Sequence, residues 1–455
     1  MAALDDLLAH VARTAAAYRA GLPEARVAPD VDVEQLRKAL GGPVTERRTE
    51  PAAAIDELIA AAEPGLMATA GPRYFGFVIG GSLPAATAAD MLAVGWDQVG
   101  FNAVLSPVAA VVEECAGAWL KELLGLPSGA SVGFVTGGQE ANNVGLAAGR
   151  HAVLADAGWD VERDGLAGAP RVRVVASEER HATVDRSVRL LGMGTAAIEP
   201  VRADSNGAID VDDLARVLEA GTGPVLVCLQ AGNVNTGACD DMQSAIAVAR
   251  RHGAWVHVDG AFGLWAAASS RTRQLVDGIE LADSWGCDGH KWLNVPYDSG
   301  FAFCARPDVH VAAVSYTASY LSGSGTVYSP ADFTLSSSRR ARGFAVWAAL
   351  RELGREGVEE MIDRTCAHAR LFASLLAEGG LEILNDVVLN QVLVGIGDDA
   401  GTDAVMDAVQ RDGTCWVGGT TWRGRRLMRV SVSNWSTTEE DVRRSADAIL
   451  RLARV

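Results

Sequence analysis

The sequence is poor in lysine and rich in acidic residues. Only Lys38, Lys121 and Lys291 are lysines, so arginine supplies nearly all of the 40 basic residues. Against 57 aspartates and glutamates, this leaves a formal net charge of −17. Nucleic acids and anionic membranes bind to basic protein faces, so neither is expected to be the main partner of this chain.

Cysteine is also scarce, and long apolar runs are missing. The seven cysteines are odd in number and none forms a C-x-x-C pair, which argues against a disulfide framework or a zinc ribbon. No apolar run reaches about 18 residues, the length needed to span a bilayer. The first ten residues, MAALDDLLAH, carry acids where a secretory signal carries bases. A cytoplasmic protein is therefore expected.

The common nucleotide, hydrolase and metal signatures are absent as well. The sequence has no G-x-x-x-x-G-K-[ST], no G-x-S-x-G and no H-E-x-x-H, which excludes three frequent kinds of active site. Its eight histidines are scattered, so no metal site is expected. With 49% hydrophobic residues the chain has ample material for a packed core, which favours a globular enzyme.

The spacing of apolar residues divides the chain into three parts. Residues 1–74 show helical spacing with polar interruptions and predict an N-terminal helical arm. Residues 75–344 alternate short apolar runs with helical stretches, which predicts a large α/β domain with a mostly parallel central sheet. Residues 345–455 contain two long helices, three strands and a last helix, and predict a smaller α+β domain. Thr437 and Glu440 have the spacing of a capping box for that last helix.

Lys291 is the first candidate for chemistry. It lies in the stretch CDGHKW, directly after an apolar segment where a solvated lysine is out of place. A lysine in partly dry surroundings has a lowered pKa and can act as an amine nucleophile or form a Schiff base. The alternative is an ordinary surface lysine, which suits Lys38 in a charged helix and Lys121 in an amphipathic one.

Asp259 ends the apolar strand WVHVD, at the edge where parallel sheets bind ligands. A buried carboxylate is unfavourable unless it is paired. One interpretation is an N-cap for the next segment. The other is a carboxylate that holds a cationic ring nitrogen and raises its pKa. Ala261, two residues on, is small enough for a flat ring to lie against the strand.

Two further candidates follow other strands. Gly137, Gly138 and Gln139 join a strand to a helix whose N-terminal amides and positive dipole suit a phosphate group. A simple tight turn is the alternative. His181 follows another strand and offers a flat ring, although a lone histidine is more often structural.

These candidates together suit one cofactor, pyridoxal 5′-phosphate. Its phosphate needs N–H donors, its ring nitrogen a carboxylate, its aldehyde a lysine and its ring face a stacking partner. Asp259 and Lys291 are separated by the length of about one βαβ unit. The sequence therefore predicts a pyridoxal phosphate site at the carboxyl ends of the strands.

Over nearly its whole length the sequence resembles the group II pyridoxal-phosphate-dependent decarboxylases, which include the aromatic-L-amino-acid and glutamate decarboxylases. The His-Lys-Trp signature with a spaced Asp and His is a specific combination, whereas each piece alone is modest. The matching stretches are AWLKELLGLP (118–127), TGGQEAN (136–142), SEERHATV (177–184), HVDGAFG (257–263) and GHKWLNVPYDSG (289–300).

The resemblance implies a fold-type-I, aspartate-aminotransferase-like large domain and a homodimer with the active site at the interface. It also implies roles for four residues. Lys291 forms the Schiff base with pyridoxal phosphate, and Asp259 holds the ring nitrogen. His181 stacks on the ring, and His290 lies on the phosphate side.

Three more residues are expected at the cofactor. Where the family often has Gly-Thr-Thr, this chain has AGNVNTG at 231–237. An asparagine amide can bond the ring hydroxyl, so either Asn233 or Asn235 is expected there, with neither preferred. Ser284, seven residues before Lys291, is expected as a further contact.

The implied function is decarboxylation of an L-amino acid to an amine and carbon dioxide. Tyr328 is the candidate for the tyrosine that returns a proton in the family, and a solvent loop is the alternative. Tyr74, Phe75 and Phe77 either line the substrate pocket or pack the arm on the core. The first case favours an aromatic or apolar substrate. No arginine is assigned to a second substrate carboxylate, so an acidic substrate is less favoured.

Three other functions remain open. A carbon–carbon lyase or aldolase of the same fold would use Lys291 and Asp259 in the same way. A decarboxylating aldehyde synthase would consume oxygen and release an aldehyde and ammonia. A non-catalytic regulator that binds pyridoxal phosphate is disfavoured by the intact set of cofactor residues.

Overall fold

The chain folds around two β-sheets. The computed structural model describes residues 2–316 and 328–454, which include twelve strands. The strands are β1 (Tyr74–Phe75), β2 (Ser131–Val135), β3 (Arg173–Ser177), β4 (Ile198–Val201), β5 (Val225–Gln230), β6 (Trp255–Asp259), β7 (Ser284–Asp288), β8 (Gly300–Cys304), β9 (Glu382–Ile383), β10 (Gln391–Gly395), β11 (Trp416–Trp422) and β12 (Arg425–Ser431).

Helices precede, connect and follow these strands. Within the described residues, none is long and apolar enough to cross a membrane. The helices are α1 (Ala2–Gly21), α2 (Val33–Leu40), α3 (Pro51–Ala62), α4 (Pro84–Trp96), α5 (Pro107–Leu123), α6 (Gly138–Asp156), α7 (Val161–Asp164), α8 (Ala182–Leu190), α9 (Val211–Glu219), α10 (Met242–Arg251), α11 (Pro307–Val314), α12 (Gly343–Glu378), α13 (Asp399–Asp412) and α14 (Glu439–Ala453).

The first sheet has seven strands in the order β2-β8-β7-β6-β5-β3-β4. Its pairs are parallel, except that β8 runs antiparallel to both β2 and β7. Every residue of β5, β6 and β7 is buried, as near-continuous apolar strands are when helices cover both faces. The predicted α/β architecture with a mostly parallel sheet is confirmed.

The second sheet joins distant parts of the chain. Strand β1 pairs in parallel with β11, with Tyr74 opposite Trp416, while β9, β10, β11 and β12 pair antiparallel. A separate core lies against this sheet, where Phe75 meets Phe372 of α12 edge-on at 5.1 Å. The boundary predicted after residue 74 therefore falls inside a strand of the second sheet.

The C-terminal helices differ from the prediction in two details. The two predicted long helices are the halves of α12, which bends at Gly354. The φ of Gly354 is +59°, a left-handed conformation that glycine adopts with the least strain. The capping box of α14 is formed by Thr438 and Asp441, one residue after the predicted pair.

A buried ion pair ties α5 to the segment that precedes α12. Arg339 donates from both terminal nitrogens to the two carboxylate oxygens of Glu113, each at 2.7 Å. The two side chains are 2% and 1% exposed, so removing either partner leaves a buried charge without compensation. Such a pair stabilises the contact between these two elements.

Glu113→Gln is expected to lower the free energy of unfolding by about 3–5 kcal/mol, because Arg339 then keeps a buried, unpaired charge. Urea unfolding at fixed protein concentration measures the change. The matched control is Glu122→Gln, whose partner Arg355 lies at 2.7 Å with both side chains more than half exposed. An exposed pair contributes about 0–1 kcal/mol. Equal losses for the two variants would contradict this assignment.

Candidate active site

A cavity of about 290 Å³ opens at the carboxyl ends of the parallel strands of the first sheet. This is the edge where ligands bind in such sheets. Eight of the sequence-predicted site residues line it: Gly137, Gly138, Gln139, His181, Asp259, Ala261, His290 and Lys291.

Lys291 reaches this cavity from the turn that follows β7. Its Nζ lies 2.9 Å from Oδ2 of Asp288, whose side chain is only 2% exposed. The other oxygen of Asp288 accepts a hydrogen bond from the Gly138 amide at 2.5 Å and lies 3.3 Å from His290 Nε2. Asp288 therefore fixes the amine of Lys291 next to the first turn of α6.

Asp259 ends β6 with its carboxylate in the cavity and is 5% exposed. Its Oδ1 accepts from the Ala261 amide at 3.2 Å, and its Oδ2 lies 3.4 Å from the Thr183 hydroxyl. Among the described residues it forms no ion pair within 4.0 Å. A carboxylate placed in this way can pair with a cationic group that enters the cavity.

His181 precedes α8 and lines the same cavity. Its Nδ1 lies 2.8 Å from the Thr183 hydroxyl and accepts from the Thr183 amide at 3.3 Å. Burial lowers the pKa of His181, and the charges of Lys291 and Arg429 lower it further, although Asp259 acts in the opposite direction. The ring is therefore neutral near pH 7.

The first turn of α6 offers a place for an anion. The first internal bond of the helix runs from the Ala141 amide to the Gly137 carbonyl, so the amides of Gln139 and Glu140 precede it. A Cβ on Gly137 would lie 2.8 Å from the His290 ring, and one on Gly138 would lie 2.9 Å from the Asp288 carboxylate. A side chain at either position would therefore have to displace His290 or Asp288.

The groups in this cavity fit pyridoxal phosphate. An amine, a carboxylate without an ion pair in the described part of the chain, a flat neutral ring and a turn of helical amides all face one space. These correspond to the aldehyde, the ring nitrogen, the ring face and the phosphate of that cofactor. The donor set matches the cofactor group by group.

Three predicted cofactor contacts lie elsewhere. The Asn233 amide donates to the Glu179 carbonyl at 3.1 Å, and its oxygen accepts from the Asn235 amide, so Asn233 shapes the turn instead. Asn235 accepts from the Thr420 hydroxyl at 2.9 Å. The Ser284 hydroxyl is fully buried behind the strand, 2.9 Å from His257. In the turn 231–237 the cavity is lined by Gly232 and Val234 instead.

The predicted aromatic residues are also not in the cavity lining. Phe75 is 1% exposed in the core of the second sheet. Tyr74 and Phe77 stack on Trp416, with ring centroids 5.0 and 5.5 Å apart. For Tyr74 this agrees with the second interpretation, in which the arm packs on the core. Tyr328 stacks on Phe333 at 5.9 Å. None of the four lines the cavity within this chain.

Among the residues in or next to the site that the sequence did not predict, three carry charge or hydrogen bonds that bear on its chemistry: Asp288, Thr183 and Arg429. Asp288 had a signal, because an acid at the end of an apolar strand stands three residues before the lysine. Arg429 lies far along the chain on β12 and is 8% exposed. It donates to the carbonyl of Val234, a lining residue, at 2.9 Å. No spacing in the sequence connects it to the cavity.

Comparison with known proteins gives consistent matches. Residues 43–394 match the family model described as the pyridoxal-dependent decarboxylase conserved domain. Tryptophan decarboxylase 1 of Oryza sativa subsp. japonica is 30% identical over 429 residues, which cover 86% of this chain and 82% of that protein. Phenylacetaldehyde synthase of Arabidopsis thaliana is 27% identical over 414 residues, 86% of this chain and 83% of that one. The crystal structure of Oryza sativa TDC with PLP and tryptamine has a TM-score of 0.92 and 26% identity, and the match covers 99% of this chain and 97% of that chain.

Proposed function

This chain belongs to the pyridoxal-dependent decarboxylase family, and we propose that it converts an aromatic or apolar L-amino acid to the corresponding amine and carbon dioxide. The resemblance noted in the sequence is thereby confirmed. The chain is an amino acid carboxy-lyase with pyridoxal phosphate as its cofactor. The observation that carries the proposed roles is the cavity that gathers Lys291, Asp259, His181 and the first turn of α6.

Each of these groups has one task. When bound, pyridoxal phosphate supplies a ring that accepts the electron pair of the breaking carbon–carbon bond. Lys291 Nζ holds the cofactor through its aldehyde carbon. The Asp259 carboxylate keeps a proton on the ring nitrogen, since such a neighbour raises the pKa of a cationic group by about 1–3 units. His181 covers one ring face, and the α6 amides with His290 hold the phosphate.

Arg429 is the proposed binding site for the carboxylate of the substrate. Burial lowers the pKa of its guanidinium to about 10, which leaves it charged at pH 7. It forms no ion pair within 4.0 Å among the described residues, and its charge acts on His181. An anionic substrate group that enters beside Val234 would supply the missing partner.

Apolar groups border the space left for the substrate side chain. Val234 and Phe262 line the cavity itself. These surroundings favour an aromatic or apolar side chain, in agreement with the tryptophan decarboxylase among the relatives.

A panel of L-amino acids tests this proposal. We expect aromatic amino acids to release carbon dioxide and an equal amount of amine, because the apolar lining suits their side chains. Glutamate, aspartate and alanine serve as controls for charge and size. Turnover of an acidic amino acid at a comparable kcat/KM would contradict the proposed substrate class. Cleavage without carbon dioxide would point to the lyase alternative.

Release of an aldehyde is the second candidate outcome. It is favoured by the likeness to a phenylacetaldehyde synthase and by the position of Tyr328 against Phe333, away from the cavity lining. The same panel, scored for aldehyde, ammonia and hydrogen peroxide, separates this outcome from amine formation.

A tyrosine substitution tests the role predicted for Tyr328. If Tyr328 returns the proton, Tyr328→Phe shifts the product from amine towards aldehyde. A second tyrosine, Tyr320, stands shortly before Tyr328 in the sequence and lies outside the described residues. Tyr320→Phe is therefore the paired variant, and a shift in that variant alone would move the assignment to Tyr320.

We further propose that the chain works as a homodimer with the active site near the interface. Helices α2 and α3 bury no residue within one chain, although the arm has apolar faces. Large exposed apolar patches mark protein contact sites. The exposed apolar side chains of α4, α5 and the segment between them are Met91, Leu92, Val94, Trp96, Val104, Leu105, Val108 and Val111.

Val94→Asp is expected to convert the dimer to a monomer, because a charge would then be buried at the interface without a partner. Val94 is 63% exposed in the single chain, so the substitution leaves the fold intact. Light scattering after size exclusion measures the mass. The matched control is Leu190→Asp, which is 61% exposed at the end of α8. A dimer that persists in Val94→Asp would contradict the proposed interface.

We also propose that the protein is cytoplasmic. All seven cysteines are free thiols, and five of them are buried. Free buried thiols are typical of proteins that fold under reducing conditions.

A further inference from the structure

A chain of buried polar groups runs behind the cavity. His257 lies on β6 two residues before Asp259 and is fully buried. Its Nδ1 lies 2.9 Å from the Ser284 hydroxyl, and its Nε2 lies 3.0 Å from Oδ1 of Asn142. Helix α6 makes room for this ring at Gly145, where a Cβ would come within 2.5 Å of it. Burial lowers the pKa of His257 to about 4, so the ring is neutral at pH 7.

The direction of the hydrogen bonds in this chain follows from its first donor. Trp255 Nε1 can only donate, and it does so to the Ser284 hydroxyl at 3.0 Å. The Ser284 proton then goes to His257 Nδ1 at 2.9 Å rather than to the Gly145 carbonyl at 3.4 Å. His257 is thereby fixed with its proton on Nε2, from which it donates to Asn142.

The second half of this series of hydrogen bonds ends at His181, which lines the cavity. The Asn142 amide nitrogen donates to the Thr183 hydroxyl at 3.0 Å. The Thr183 hydroxyl donates to His181 Nδ1 at 2.8 Å rather than to Asp259 Oδ2 at 3.4 Å, and the Thr183 amide donates to the same Nδ1 at 3.3 Å. A ring nitrogen that receives two donors carries no proton of its own, so the proton of neutral His181 is on Nε2.

We propose that His257 is a positioning residue, which acts through Asn142 and Thr183 to hold His181 as the neutral tautomer with Nε2–H available to the cavity. This role rests on the proposed function, in which His181 covers the cofactor ring. A neutral ring with one fixed donor does not repel the protonated ring nitrogen held by Asp259. It can also donate a hydrogen bond to the substrate.

A purely structural role would look different. The same bonds would then only satisfy buried polar atoms, and any substitution of a buried histidine would act through stability alone. His310 provides the comparison, because it is also fully buried, its pKa is also lowered to about 4, and it bonds Ser131 Oγ and the Phe333 carbonyl. His310 forms neither of these hydrogen bonds with a member of the series that runs from Trp255 to His181.

The experiment compares His257→Phe with His310→Phe in the full-length protein. Two-bond ¹H–¹⁵N spectra of histidine-labelled protein report the tautomer of His181, whose signals are identified by their loss in His181→Gln. We expect the Nε2–H tautomer in the parent protein and in His310→Phe. In His257→Phe, Asn142 loses the donor that orients it, so a mixture of forms is expected at His181.

Kinetics give a second readout. We expect kcat of His257→Phe to fall about 10- to 100-fold, the range for losing an outer layer of hydrogen bonds, while KM changes less than about threefold. The acid limb of the kcat–pH profile should move to higher pH, because His181 loses a donor that favours its neutral form. The charged groups that act on His181 are Asp259, Lys291, Arg429 and Asp288, and all of them remain in the variant. His257→Gln, which can still donate to Asn142, should recover part of kcat.

Two results would contradict the positioning role of His257. An unchanged His181 tautomer in folded His257→Phe, or an equal fall in kcat for His310→Phe, would overturn the proposal. If His257→Phe does not fold, Thr183→Val breaks the same chain next to His181 and should give the same spectral change. The tautomer is read without turnover, so a failure of the decarboxylase assignment would leave this test intact.

Discussion

Replacing Lys291 with alanine is expected to abolish covalent cofactor binding and to lower turnover by several orders of magnitude. Lys291 is the lysine whose Nζ faces the cavity, next to Asp288 and the first turn of α6. Without this amine the aldehyde of the cofactor has no covalent partner in the cavity. The visible absorbance of the purified, cofactor-loaded protein measures the covalent bond, and amine release measures turnover.

Lys121→Ala is the matched control for this experiment. Lys121 lies on α5 and donates to the Ser128 and Ala130 carbonyls, both at 2.7 Å, outside the cavity lining. Its loss should leave both absorbance and turnover near the parent values. A Lys291→Ala protein that remains coloured and active, while far-ultraviolet circular dichroism shows an intact fold, would refute the role of Lys291.

The second large effect is expected from Asp259→Ala. The variant should still bind cofactor, since Lys291 and the α6 amides remain. Its turnover should fall by about one to three orders of magnitude, because the ring nitrogen loses a neighbour that raises its pKa by about 1–3 units. Cofactor content by absorbance and turnover by amine release are measured on the same preparation, so the two effects are separated.

Asp240→Asn controls for the loss of a buried carboxylate. Asp240 is 2% exposed and accepts from the Gln230 and Ile209 amides, both at 2.7 Å, but it does not line the cavity. It should change stability with little change in turnover per folded molecule. Near-normal turnover in Asp259→Ala, or an equal fall in both variants, would remove Asp259 from the proposed chemistry.

The sequence predicted those site residues whose position depends on strand ends alone. Asp259 ends β6, His181 follows β3, and Gly137 follows β2, so the parallel arrangement brings them to one edge. Lys291 follows β7 in the same way. The alternation of short apolar runs with helices was sufficient to place all four.

Residues whose position depends on side-chain direction were not predictable in this way. Asn233 and Asn235 lie in the expected turn, but their amides bond to Glu179 and Thr420 instead of facing the cavity. Ser284 starts a strand that ends at the cavity, so its own position is one strand length away. Period and spacing give the segment, whereas the local hydrogen bonds decide which way each side chain points.

Contacts between segments that are distant in the sequence could not be predicted either. Arg429 comes near the cavity because β12 of the second sheet packs near the turn that contains Val234, whose carbonyl accepts from Arg429. The segment before α4 runs along the lysine itself, since a Cβ on Gly80 would overlap the Lys291 carbonyl oxygen. Neither approach has a counterpart in the spacing of residues along the chain.

The parallel pairing of β1 with β11 also governs how the chain can be divided for expression. A fragment that starts after residue 75 would leave β11 as an unpaired edge strand. It would also remove Tyr74, one of the rings that stack on Trp416. It would also uncover the ring of Phe372. Unpaired edge strands can pair with strands of other chains and so promote aggregation. Truncation at this point is therefore expected to yield insoluble material, so a loss of activity in such a fragment carries no information about catalysis.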